Sequence, residues 1–187
     1  KELHDRPHGA ALLPHGAAAA RIDQLVDGAG ALPQGKLCCC LPTPLPSNCS
    51  AWLHGSFVLS SARKALPMPM GAQTPSPDER WNHFLLDGPV AEALCEVLVV
   101  CRDVVTCPGD VKAFFGLLPG GPQGSSTATV GQAAMRAALS RPAFPVCARD
   151  RVRWVTSPKA ILRAIESDLP PPVQDALAAD GLDVVSL

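Results

Sequence analysis

Between Trp52 and Ser60 the chain has the two-residue rhythm of a β-strand, with Phe57 and Leu59 on one face and Val58 on the other. The strand runs into Ser60, Ser61 and the basic pair Arg63-Lys64, so a charge sits at the end of a rigid element. Lys36 to Leu41 predicts a second, shorter strand. Pro42, Pro44 and Pro46 follow, and they force an extended connection that cannot be a central strand.

Helical spacing takes over at Ser76-Pro77-Asp78-Glu79. Serine is a capping residue, proline suits the first helical position, and the acid stands three residues after the cap. Trp81, Phe84, Leu85 and Leu86 form the apolar stripe, and Gly88-Pro89 breaks the helix. The pattern resumes through Val90, Leu94, Val97, Leu98 and Cys101 on one face, which predicts a helical hairpin or kinked rod devoted to packing.

Elsewhere the signals are shorter. Ala17 to Leu25 predicts a short helix ended by Gly28, Gly30 and Pro33. Met68 to Pro77 and Pro119 to Ser126 read as loops, and Val111 to Leu118 as a short helix. Val130 to Leu139 predicts a helix with Ala134, Met135 and Leu139 inward, and Val152 to Val155 a short strand around Trp154. Ser157-Pro158 reads as the cap of a helix with Ile161, Leu162 and Ile165 inward. A last helix is expected from Pro170 to Pro172 onward, with Val173 and Leu177 inward and Gly181 as its stop, before the strand-like Val184-Val185-Ser186-Leu187.

The pattern adds up to an α+β fold, a small mixed or antiparallel sheet with several packed helices. Residues 1–35 are expected to be a poorly structured or partly helical lead-in, and 36–187 the α+β segment. Lys1 is not Met, and the last segment is strand-like. The chain therefore reads as a piece of a longer polypeptide, cut at both ends.

Composition narrows the function classes. A net charge of -1 argues against a general nucleic-acid-binding face. The opening Lys1-Glu2-Leu3-His4-Asp5 does not read as a secretory leader, and no run approaches the roughly 20 apolar residues of a membrane span. Aromatic residues make up 4% and tyrosine is missing, so an aliphatic core is expected.

Eight cysteines, at positions 38, 39, 40, 49, 95, 101, 107 and 147, raise disulfide and metal readings. No Cys-x-x-Cys pair occurs, and of the three consecutive cysteines only Cys38 and Cys40 share a strand face. Cys38 to Cys40 therefore read as small apolar residues of a buried strand, and Cys95 and Cys101 as helix core. His4, His8 and His15 read as loop residues. No metal site is expected.

Nucleophilic catalysis finds little support. No serine stands in a Gly-x-Ser-x-Gly elbow. His54 and Ser56 share a strand face, which reads as a structural pairing or an exposed edge. Asp78 and Glu79 belong to a helix first turn, where the macrodipole explains them. Asp150 lies between Arg149 and Arg151, as in a solvated cluster, and the Gly-Gly-x-x-Gly at 120–124 lacks the lysine of a phosphate loop. Arg63 and Lys64 remain open to two readings, a basic surface turn or a phosphate contact offered to a neighbouring domain. Arginine suits the second because its fork can bond two phosphate oxygens.

Several ordered motifs resemble the sacsin-like repeat proteins, over nearly the whole chain. Leu13-Pro14-His15-Gly16-Ala17-Ala18-Ala19 is similar to that family's Leu-Pro-x-Gly-Gly-Val-Ala, and Gly35 to Pro44 to its Gly-x-x-Phe-Cys-Phe-Leu-Pro-Leu-Pro. His54 to Lys64 resembles its His-x-Asn-Gly-x-Phe-x-Leu-Ser-Ser-Asn-Arg-Arg, and Trp81-Asn82-His83-Phe84-Leu85-Leu86 its Trp-Asn-x-x-Leu-Leu helix. Arg153 to Pro158 and Leu169 to Val185 resemble later segments. Cys38 and Cys40 stand where the family has aromatics, Ala62 where it has asparagine, and Lys64 where it has a second arginine.

The resemblance implies the segment that follows a GHKL-type ATPase domain in a large cytoplasmic chaperone or co-chaperone. Its implied partners are that upstream ATPase domain, DnaK-class chaperones and client proteins, with no nucleic acid and no membrane. It implies no catalytic residue and no cofactor in this segment, with ATP held by the upstream domain. By the same resemblance Arg63, or Lys64 beside it, reaches the terminal phosphate of that nucleotide in trans. A structural spacer between repeats is the alternative, and a free-standing enzyme or metal-binding domain a further one.

Overall fold

The computed structural model describes residues 13–26, 33–69, 74–107, 110–119, 126–138, 141–148, 151–156, 160–163 and 183–186. The fold class is α+β, as the hydrophobic pattern predicts. Strands β1 (Gly16–Ala19), β2 (Lys36–Cys39), β3 (Leu41–Pro46) and β4 (Trp52–Gly55) form a four-stranded sheet in the order β1-β4-β2-β3. Two pairings, β1 with β4 and β2 with β3, are antiparallel, and β2 with β4 is parallel, so the sheet is mixed.

Two expectations change here. The alanines at 17–19 form edge strand β1, and helix α1 is confined to Asp23–Val26. Cross-strand pairing with β4 overrides the helix preference of alanine. Gly16 lets this edge approach closely, since a Cβ there would stand 2.4 Å from the Pro89 carbonyl and the Val90 nitrogen. The proline run is itself a strand, β3, but an edge one. Pro42, Pro44 and Pro46 are all exposed, while Thr43 faces inward and is buried. An edge tolerates the missing N–H groups that a central strand does not.

Helices α2 (Pro77–Asp87) and α3 (Pro89–Arg102) meet at Gly88, as expected. The capping box is complete, with the Ser76 hydroxyl accepting from the Glu79 amide at 3.3 Å and the Glu79 carboxylate accepting from the Ser76 amide at 2.7 Å. Helix α4 spans Val111–Phe115 and α5 spans Ser126–Ala138. Trp81, Leu85, Leu86, Val90 and Leu94 pack with Val130 and Ala134 of α5 against Leu37, Leu53 and Phe57 of the sheet side. A second cluster joins Leu25, Leu98, Cys101, Val105, Phe114 and Leu117. Trp154 stands edge-on to Phe114 at 4.7 Å.

Trp154 belongs to β6 (Arg151–Val155), which pairs antiparallel with β5 (Phe144–Ala148). The helix expected after Ser157-Pro158 is corrected. Residues 160–163 form β7 (Ala160–Arg163), parallel to β8 (Asp183–Ser186). Pairing of Ile161 with Val184 and of Leu162 with Val185 satisfies a strand where spacing alone read as a helix. The helix expected from Pro170 and the loop at 120–125 lie outside the described residues.

Candidate functional site

The strand expected over Trp52–Ser60 is corrected to Trp52–Gly55, the extent of β4, and beyond it the hydrogen-bond partners change. Past Gly55 the main chain is bonded by side chains from other elements. The Trp81 indole N–H donates to the Ser56 carbonyl at 2.9 Å, and the Cys39 thiol donates to the Phe57 carbonyl at 3.3 Å. The Asn82 side chain binds both main-chain groups of Val58. Its Oδ1 accepts from the Val58 N–H at 2.8 Å and its Nδ2 donates to the Val58 carbonyl at 2.8 Å. The second Nδ2 proton goes to the Pro67 carbonyl at 2.9 Å. Asn82 is 0% exposed, so an unpaired amide there would carry the full cost of desolvation.

This base supports a closed turn. The Ser60 amide donates to the Ala65 carbonyl at 3.0 Å, the Arg63 amide to the Ser60 carbonyl at 2.8 Å, and the Ala65 amide to the Ser60 hydroxyl at 3.1 Å. Arg63 sits at φ 56°, in the left-handed region that a bulky residue seldom occupies. Its guanidinium reaches back across the sheet end, where Nη2 donates to the Cys39 carbonyl at 3.0 Å. Cys40, next in the chain, is also left-handed at φ 61°, and its amide donates to His54 Nε2 at 3.2 Å. Two strained non-glycine residues thus meet at one end of the sheet. Such strain persists only where surrounding bonds over-determine it, and it concentrates at functional sites.

Arg63 and Lys64 are both exposed. Among the described residues, no carboxylate forms an ion pair with either. His54 and Ser56, expected on one strand face, do different work. His54 accepts from Cys40 and lies 5.4 Å from the His15 ring, while Ser56 donates to the Leu13 carbonyl at 3.2 Å. They form no nucleophile–base pair with one another.

Cys38 and Cys39 are half-buried and Cys40 is exposed, which corrects their reading as buried strand positions. Burial pushes the Cys39 thiol up, with Cys40 adding to the rise and Arg63 opposing it. Burial likewise raises Cys38. A raised thiol stays protonated and makes a poor nucleophile. Cys95 and Cys101 are core, as expected, each 1% exposed. Seven cysteines, Cys147 apart, are free thiols. Among the described residues, no group of three or more His, Cys, Asp or Glu is placed to hold a metal, and no helix is long and apolar enough to cross a membrane.

One further concavity, about 430 Å³, lies between β1 and α3, lined by Ala17, Ala18, Ile22, Val97 and Val100 among others. None of Arg63, Lys64, His54 or Ser56 lines it. His4, His8, Arg149, Asp150 and the glycine motif at 120–124 lie outside the described residues. No motif in the sequence marks Asn82 as a site residue. Its signal was a polar side chain inside the buried stripe of Trp81, Leu85 and Leu86. Comparison with protein-family models, with curated proteins and with solved structures finds no match for the chain.

Proposed function

We propose that this chain is a non-catalytic segment of a large cytoplasmic, sacsin-like chaperone or co-chaperone. In this reading it couples an upstream GHKL-type ATPase domain to clients, to DnaK-class chaperones or to neighbouring domains. Arg63 is the contact to the terminal phosphate of ATP held by that upstream domain, with Lys64 adding charge beside it. The segment itself holds no cofactor.

The observation that carries the reading is the Ser60–Ala65 turn. A basic residue in a left-handed conformation, closed by main-chain bonds and tethered through its own guanidinium, is ordered before any partner arrives. Pre-ordering removes much of the entropy cost of making a contact. The bond to Cys39 takes a single N–H, which leaves the rest of the fork for phosphate oxygens.

ATP hydrolysis by the full-length polypeptide tests it. Arg63→Ala should slow turnover on the order of a hundred-fold, the effect of removing one charge contact to a transition state. Equal turnover with and without Arg63 would leave the spacer reading in its place.

A further inference from the structure

We infer that Asn82, with Trp81 beside it, is a positioning residue for the Arg63 turn. The functional consequence rests on the phosphate-contact reading above, but the geometry stands without it. Asn82 bonds to Val58 on the way into the turn and to Pro67 on the way out. One buried side chain therefore closes the base of the loop that carries Arg63. It treats Val58 as a neighbouring strand would, bonding both its N–H and its carbonyl. Trp81 holds Ser56 two residues earlier, in step with the same extended segment.

These bonds tie the turn to helix α2. Gly55 is the last ladder residue of β4, so past it the main-chain ladder gives way to side-chain bonds, those of Trp81 and Asn82 from α2 together with the Cys39 thiol from β2. The buried stripe of α2 explains why this link is stiff. Trp81, Leu85 and Leu86 anchor the helix in the core at 3%, 0% and 0% exposure, and Asn82 projects from the same stripe. A shift of α2 would therefore carry the turn with it. The Trp-Asn pair links the helical core to the basic turn, where a pure packing role would need only apolar residues.

Amide hydrogen exchange on the chain decides the matter. In Asn82→Ala the amides of Val58, Ser60, Arg63 and Ala65 should exchange about ten-fold faster or more, the effect of losing bonds of this kind. They should accelerate more than the amides of Leu94 and Leu98 in α3. Acceleration only in step with Leu94 and Leu98 would mean general destabilisation and overturn the inference. Arg63→Ala should leave the Val58 amide unchanged; if it accelerates, the guanidinium tether and not Asn82 sets the turn.

Should Asn82→Ala fail to fold, the unaltered chain still tests the idea. Its Val58 amide should exchange as slowly as those of Leu94 and Leu98, and rapid exchange overturns the clamp. ATP turnover by the full-length polypeptide separates the two readings. If Arg63→Ala leaves turnover intact while Asn82→Ala loosens the turn, the phosphate contact fails and the positioning role holds.

Discussion

The helical core and the end of the sheet beyond Gly55 are held by different balances of apolar packing and directed bonding. Around Leu85, Val90, Leu94 and Val130 the contacts are apolar and each residue is fully buried. Such contacts are strong in sum but not directional. Between Ser56 and Pro67 the chain sends Phe57 into that same core, but its main chain is held by directed bonds from Trp81, Asn82, Cys39 and the Ser60 hydroxyl. The first region supplies most of the apolar burial and the second fixes the course of the main chain. A charge that must meet a partner needs the second, and the second needs the first as its foundation.

The sharpest way to break this division is Leu94→Ala. Leu94 is 0% exposed, and its truncation should cost about 2–5 kcal/mol in urea denaturation. The folded variant should keep the turn's exchange pattern relative to the core. A variant whose turn loosened first would show that packing, and not directed bonding, aims Arg63.

Asn82→Leu probes the other side at similar volume. Leaving the Val58 N–H and carbonyl without partners should cost about 1–3 kcal/mol by the same measurement. A neutral result would show that water serves Val58 equally well and that the contrast between the regions is false.

The smallest effect is alkaline. Burial pushes the Cys101 thiol from 9.0 to about 11, and it raises Cys49 and Cys95 as well. The folded state then binds the proton more tightly than the unfolded state does. The associated stability is complete below the unfolded value and is lost as pH rises through the folded one. Melting temperature should fall between pH 9.0 and about 11, and fall less in Cys101→Ala. An unchanged alkaline slope in that variant would remove Cys101 from the apolar core account.

What could be read from the sequence follows the same line. The α2–α3 corner was legible because Ser76, Glu79, Gly88 and Pro89 act through neighbours in the chain. The Trp52–Ser60 alternation was legible as extended chain. That its outer half bonds to side chains of α2 was not, because that partner lies 24 residues away. Ala17–Ala19 and Ile161-Leu162 carry local helix signals that strand partners overrule. At the site, Arg63 and Lys64 were legible as charge at a strand end. The left-handed φ of Arg63, its bond to Cys39 and the role of Asn82 arise only when β2, α2 and the turn come together.

The most direct test of the central claim is where the terminal phosphate of ATP lies in the full-length polypeptide. A photoreactive ATP analogue bearing its aryl azide on that phosphate, followed by digestion and mass spectrometry, locates the contact. If Arg63 meets that phosphate, adducts form within residues 60–65 and are reduced by excess ATP. ATP-protected adducts elsewhere with none in 60–65 would contradict the account.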